Sequence, residues 1–183
     1  MALIIQDEDG NIESTCCLCG EILCEPFYAT SHFIADSNHP LFEFSDAPMH
    51  WSCYALWPDQ TAFADLLFQT KAQNAANDEL WTVIFQNQTA LVTYGRAVAE
   101  LDVLLRKSGS SFRVHRDNWR NWCESDWPRD VSHSLEARAL SEALPLLKDI
   151  TLPPRDLRAE ARLSDLLKKL LKQSEGCSGN DSI

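Results

Sequence analysis

Apolar positions near the start of the chain come in short, β-prone runs broken by turn residues. Residues 2–5 precede Asp7-Glu8-Asp9-Gly10, which predicts a hairpin over residues 2–15. Two aromatic, strand-like runs, 27–34 and 41–44, are separated by Asn38-His39-Pro40 and predict a second hairpin. A helix is expected from near His50 and stops at Trp57-Pro58, because proline disfavours helix in the residue before it. Asp59 is placed to cap a second helix, on which Phe63, Leu66, Leu67 and Thr70 follow helical spacing. The small, polar stretch 72–78 is the best boundary candidate and divides the chain into units 1–74 and 79–183, with room left for a shared core.

Past that boundary the pattern changes. Residues 81–85 and 90–94 are rich in β-branched and aromatic side chains around a turn at 86–88. Residues 100–105 and 112–115 flank Ser108-Gly109-Ser110. These runs predict a short antiparallel meander, with a helix across 90–106 as the competing reading. Leu135, Ala139, Leu140, Ala143 and Leu144 then mark one face of a helix whose end Pro145 weakens. Pro153-Pro154 leads into a second helix carrying Leu157, Ala161, Leu163, Leu166, Leu167, Leu170 and Leu171, and residues 174–183 are expected to fray. The fold class is α+β.

Composition adds bounds. The chain has 183 residues, 45% of them hydrophobic and 23% charged, which suits a folded domain. No run approaches the ~18 apolar residues of a membrane span. The N-terminus lacks the basic, apolar pattern of a signal peptide, so a cytoplasmic setting is the expectation. The net charge of −11 is unevenly placed. Residues 1–80 hold 13 carboxylates and one cation, Lys71, whereas residues 81–183 are close to neutral. That sign opposes phosphate binding and makes nucleic acid an unlikely partner. It suits either a solvated, solubilising face or a surface that steers toward a basic protein partner.

The strongest chemical signal lies in the acidic part. Cys16-x2-Cys19 is followed by Gly20, and His50-x2-Cys53 comes later. Two residues between cysteines let both sulfurs of a turn reach one ion, and a three-residue step on a helix puts His50 and Cys53 on one face. The two pairs can close a single Cys3His site for one structural Zn²⁺. Buried free thiols are the alternative, and disulfides are disfavoured by the odd count of seven cysteines. Cys17 and Cys24 are rival ligands.

Cys16, Cys19 and Gly20 followed by residues 27–44, His50 and Cys53 resemble a treble-clef zinc finger: a knuckle, a hairpin and a helix whose first turn supplies the last two ligands. The resemblance covers about residues 14–68. It implies a zinc-stapled unit and leaves the function open, since this fold serves many roles. One branch of the group is the HNH nucleases. Ser31-His32-Phe33-Ile34-Ala35 faintly resembles the segment carrying their general-base histidine. The likeness fails after Cys53, where Tyr54 follows, and no basic surface is present to hold DNA.

Residues 112–127 interleave aromatic and basic side chains. Trp119 and Trp122 would share a helix face, with Arg113, Arg116 and Arg120 between and before them. Arg116, Trp119, Arg120 and Trp122 suit a protein-binding hot spot. Equally, the tryptophans can pack against the meander while arginine stems cover them. The functional expectation is a non-catalytic, zinc-stabilised protein-binding module, an adaptor or an inhibitor or immunity-type protein acting through its acidic surface. A divalent-metal-dependent, HNH-like nuclease is the alternative.

Overall fold

The structure, a computed structural model, describes residues 4–95, 97–125, 131 and 133–177, with no side-chain description for Leu167 or for 170–177. Five α-helices and two antiparallel sheets are present among these residues. The α+β class and the meander are as expected.

The N-terminal turn closes on itself without forming full strands. Gln6 and Ile12 make a single antiparallel bridge, and the Asp7 carboxylate accepts from the N–H groups of Asp9 and Asn11 at 2.9 and 2.8 Å. A second bridge, Thr15 to Ile22, brackets the cysteine turn. The small sheet pairs β1 (Phe27–Ala29) with β2 (Pro48–His50). This corrects the expected second strand at 41–44. There, Phe42–Phe44 is a 3-10 turn, because the His39 ring accepts the Leu41 N–H at 3.1 Å and the His39 carbonyl accepts that of Phe42 at 2.9 Å. Local hydrogen bonding of this kind competes with strand pairing. The two phenylalanines turn instead toward His32 and Trp57.

Helix α1 (Trp51–Leu56) stops where Trp57 adopts extended backbone before Pro58, and α2 (Gln60–Asn77) follows. Asp59 occupies the cap position of α2, but its side chain makes no capping bond. The polar stretch from residue 72 is the last turns of α2 rather than a loose connection.

The meander consists of β3 (Trp81–Gln86), β4 (Ala90–Gly95), β5 (Glu100–Leu105) and β6 (Ser111–His115), in that order. Side chains alternate between its faces. On one face Val92, Tyr94, Leu101, Val103, Leu105 and Val114 build the main core with α3 (Trp119–Glu124) and α4 (Ser134–Leu147). The other face presents Leu91 and Leu104 to Leu67 and Phe68 of α2. α4 runs past Pro145 to Leu147: the proline has no N–H to return to the Ser141 carbonyl, but the ladder resumes beyond it, with the Lys148 N–H bonded to the Leu144 carbonyl at 3.2 Å. α5 (Leu157–Cys177) leaves Leu157 and Leu166 exposed. Of the stretch expected to fray, 174–177 lies within α5 and 178–183 outside the described residues. Among the described residues, no helix is long and apolar enough to cross a membrane.

Three side chains of the N-terminal part hold the β5–β6 turn. Tyr28 and Tyr54 stack at 3.8 Å and donate to the carbonyls of Gly109 and Ser108, while Gln60 Nε2 donates to the carbonyl of Lys107 at 3.0 Å. His133, which caps α4 through its Nδ1, stacks on Trp51 of α1 at 5.7 Å.

Candidate metal centre

The cysteine turn is built for a cluster of sulfurs. Gly20 has φ +79°, a conformation that glycine adopts without steric cost, and its N–H returns to the Cys16 carbonyl at 2.8 Å. Cys17 N–H donates to the Pro48 carbonyl at 3.1 Å, tying the turn to β2. Strand β2 then delivers His50, and α1 delivers Cys53 one turn later. His50 is therefore the last residue of a strand and the N-cap of α1, not a residue of the helix itself; its extended backbone lets its N–H reach Cys16 Sγ at 3.3 Å.

Cys16, Cys19, His50 and Cys53 each offer a ligand atom, and these atoms all lie within 4.8 Å of one another. His50 Nδ1 is 3.4 Å from Cys19 Sγ and 3.8 Å from Cys53 Sγ. A tetrahedral ion with bonds of zinc's length spaces sulfur from nitrogen by about 3.6 Å and sulfur from sulfur by about 3.8 Å. The donor set thus fits one metal ion. The opposite ring nitrogen, His50 Nε2, lies 3.1 Å from the Ile22 carbonyl. A bond there keeps the proton on Nε2 and leaves Nδ1 free to bind metal.

The electrostatics agree. Burial pushes the Cys16 thiol up, but N–H groups of His50, Leu18 and Cys19 outweigh it and bring it down to about 7. Cys53 is pushed up to about 11 by burial and by the neighbouring sulfurs of Cys19 and Cys16. Three sulfurs so close cannot all ionise without a cation, and a divalent ion reverses that order by deprotonating each of them. Cys17 and Cys24 are exposed and stand outside the cluster.

The tryptophan segment resolves toward the core. Trp119 and Trp122 share a face of α3 as the spacing predicts, and are 5% and 8% exposed. They stack on each other at 5.5 Å, and Trp122 also meets Phe112 of β6 at 5.8 Å. Arg116 lies over the Tyr94 ring at 5.7 Å and donates to the Pro153 carbonyl, whereas Arg120 is exposed. His32 is hydrogen-bonded to Ser45 Oγ at 3.2 Å, edge-on to Phe42, and belongs to no metal-capable cluster among the described residues.

Sequence reasoning did not find a polar cavity of 460 Å³ between the two parts of the molecule. Its floor is a row across three strands, Thr93, Asp102 and Arg113, set side by side by the β4–β5 and β5–β6 registers. Lys71 and Asn74 of α2 form one wall, and the segment 27–31 with Trp51 forms another. Comparison with known proteins gives no match: no family model, no curated relative and no solved structure aligns with the chain.

Proposed function

We propose that the protein is a zinc-stapled binding module that docks a basic protein surface against its acidic N-terminal part. Zinc is the ion the donor set suits best, because three thiolates and one imidazole in a closed tetrahedron form a structural rather than a catalytic site. The order of knuckle, paired strands and helix supports the treble-clef likeness.

The observation that carries the reading is the charge on this scaffold. Of the 13 carboxylates in residues 1–80, 11 belong to exposed residues, among them Glu8, Glu13, Glu21, Glu25 and Glu43. Lys71 is the single cation in that stretch. A rigid unit of one sign accelerates and orients encounter with the opposite sign. An adaptor and an inhibitor that masks a basic site both use a surface of this kind.

The test is affinity purification of the tagged chain, followed by binding of the recovered partner at two salt concentrations. A basic partner is expected, bound at least ten-fold more weakly once Glu13, Glu21 and Glu25 are changed to lysine. Absence of a protein partner, together with divalent-metal-dependent DNA cleavage that is lost in His32→Ala, overturns this reading in favour of a nuclease.

A further inference from the structure

The polar cavity beneath α2 carries opposite charges that do not meet. Asp102 and Arg113 face each other in the β5–β6 register, and Lys71 of α2 stands on the wall beside them. Arg113 turns instead to Glu100, further along β5, at 3.6 Å. Among the described residues, neither the Asp102 carboxylate nor the Lys71 ammonium makes a hydrogen bond or a close ion pair. Thr93 neighbours Asp102 in the β4–β5 register, is 7% exposed and lines the cavity. Its hydroxyl bonds to nothing among the described residues, so the occupant of the cavity is its available partner. The other two acids of the lining are engaged: Glu136 already has a partner, and the Asp78 carboxylate accepts the Leu80 N–H at 2.7 Å.

Charges that balance without pairing select a dipole rather than a net charge. A lone cation on Asp102 would face Lys71 across the cavity, and a lone anion on Lys71 would face Asp102. A ligand with one charge of each sign satisfies both, in a site where such contacts are stronger than in water. The registers also limit how far apart those charges lie. Cross-strand neighbours hold their Cβ atoms about 4.5–5.5 Å apart, so Thr93, Asp102 and Arg113 set an acceptor and a cation side by side. That spacing suits an ammonium and a carboxylate one carbon apart. The ammonium must carry N–H groups, because the Asp102 carboxylate and the Thr93 hydroxyl are there to accept them. Phe27, Trp51 and Trp81 line the cavity as aromatic surroundings for a side chain. A volume of 460 Å³ is within the ordinary range for ligand cavities, roughly 300–1,000 Å³.

We propose that this cavity binds a free α-amino acid with an aromatic side chain. Its ammonium lies on Asp102 and Thr93, its carboxylate on Lys71 and Arg113, and its ring toward Trp51 and Trp81. The site is independent of the basic-partner reading, since Glu13, Glu21 and Glu25 do not line the cavity.

The probes are L-phenylalanine, 2-phenylethylamine, which lacks the carboxylate, and 3-phenylpropionate, which lacks the ammonium. Each is titrated into the full chain at neutral pH while backbone amide NMR shifts are followed. L-Phenylalanine is expected to bind with a Kd of about 1 mM or tighter, as suits so few atoms, and to shift the amides of Thr93, Asp102 and Arg113. Each half-ligand is expected to bind at least ten-fold more weakly. Asp102→Asn should weaken phenylalanine at least ten-fold and bind 3-phenylpropionate no less well than the parent. Lys71→Met should weaken phenylalanine at least ten-fold and bind 2-phenylethylamine no less well than the parent. Near-ultraviolet circular dichroism should stay unchanged in both variants. Equal binding of phenylalanine and either half-ligand, binding of none of the three, or indifference of phenylalanine binding to either folded variant overturns the proposal. The comparison of the three probes on the parent chain needs no variant, so it holds even where a substitution disturbs folding.

Discussion

The Tyr28 hydroxyl donates to the Gly109 carbonyl at 3.3 Å and stands 2.5 Å from the point where a Cβ on residue 109 would lie. Gly109 also has φ +68°, in the left-handed region. Two constraints therefore meet at one residue, one from its own backbone and one from a side chain of the metal-binding unit. Gly109→Ala is expected to cost about 2–4 kcal/mol, combining left-handed strain with overpacking. Tyr28→Phe should cost about 1 kcal/mol for the lost hydrogen bond. Chemical denaturation of the double variant should show less than the sum, because the phenylalanine removes the atom that the new methyl group strikes.

Metal content gives a second expected outcome. Elemental analysis should find about one zinc per chain, four ligands to one ion. Cys19→Ser should lose the ion and lower stability by more than about 3 kcal/mol, since metal binding there is folding energy. Cys17→Ser and Cys24→Ser should keep the ion, as both thiols lie outside the cluster. A chelator titration read by tryptophan fluorescence should report the loss through Trp51, next in chain to His50.

Asp102 sets a pH dependence of definite sign. Burial raises its carboxyl in the folded state, so the folded chain holds that proton more tightly than the unfolded one. The stability this contributes is fully present below the ordinary carboxylate range and is lost as pH rises through the folded value. At neutral pH the ionised group is a net cost. Asp102→Asn should therefore raise stability at pH 7, and the gain should shrink as the pH falls toward 4.

Truncation separates core from surface in the tryptophan segment. Trp122→Ala should cost about 3–5 kcal/mol, as expected for a large aromatic side chain in a packed core. Arg120→Ala, on the exposed side of α3, should stay within about 0.5 kcal/mol of the parent. Comparable losses in the two variants would contradict the packing described for α3.

The metal ligands were legible because their signal is local: paired spacings of two residues need only a turn and a strand-to-helix junction to converge. The meander was legible through β-branched runs separated by turn residues. The pairing of β1 was not, for a reason that can be named. Phe42 and Phe44 alternate as strand residues do, while Pro48 argues against a strand, yet His39 bends the first segment and the Pro48 carbonyl is useful to Cys17. The cavity was invisible for a different reason. Thr93, Asp102 and Arg113 become neighbours only through the registers of β4, β5 and β6, and no spacing along the chain encodes a register.

The grip of Tyr28, Tyr54 and Gln60 on the β5–β6 turn also has a direction in time. Tyr54 precedes its acceptor residue, Ser108, by 54 positions. At translation rates of ~5–20 residues per second, the metal-binding unit would emerge roughly 3–11 s before the turn it holds. During that interval two hydroxyls and an amide face water, and the ion and the unit's own apolar cluster, with Met49 and Phe63 in it, are left to keep their scaffold in shape. Metal supply during synthesis would then bear on the yield of folded chain more than metal supply afterwards.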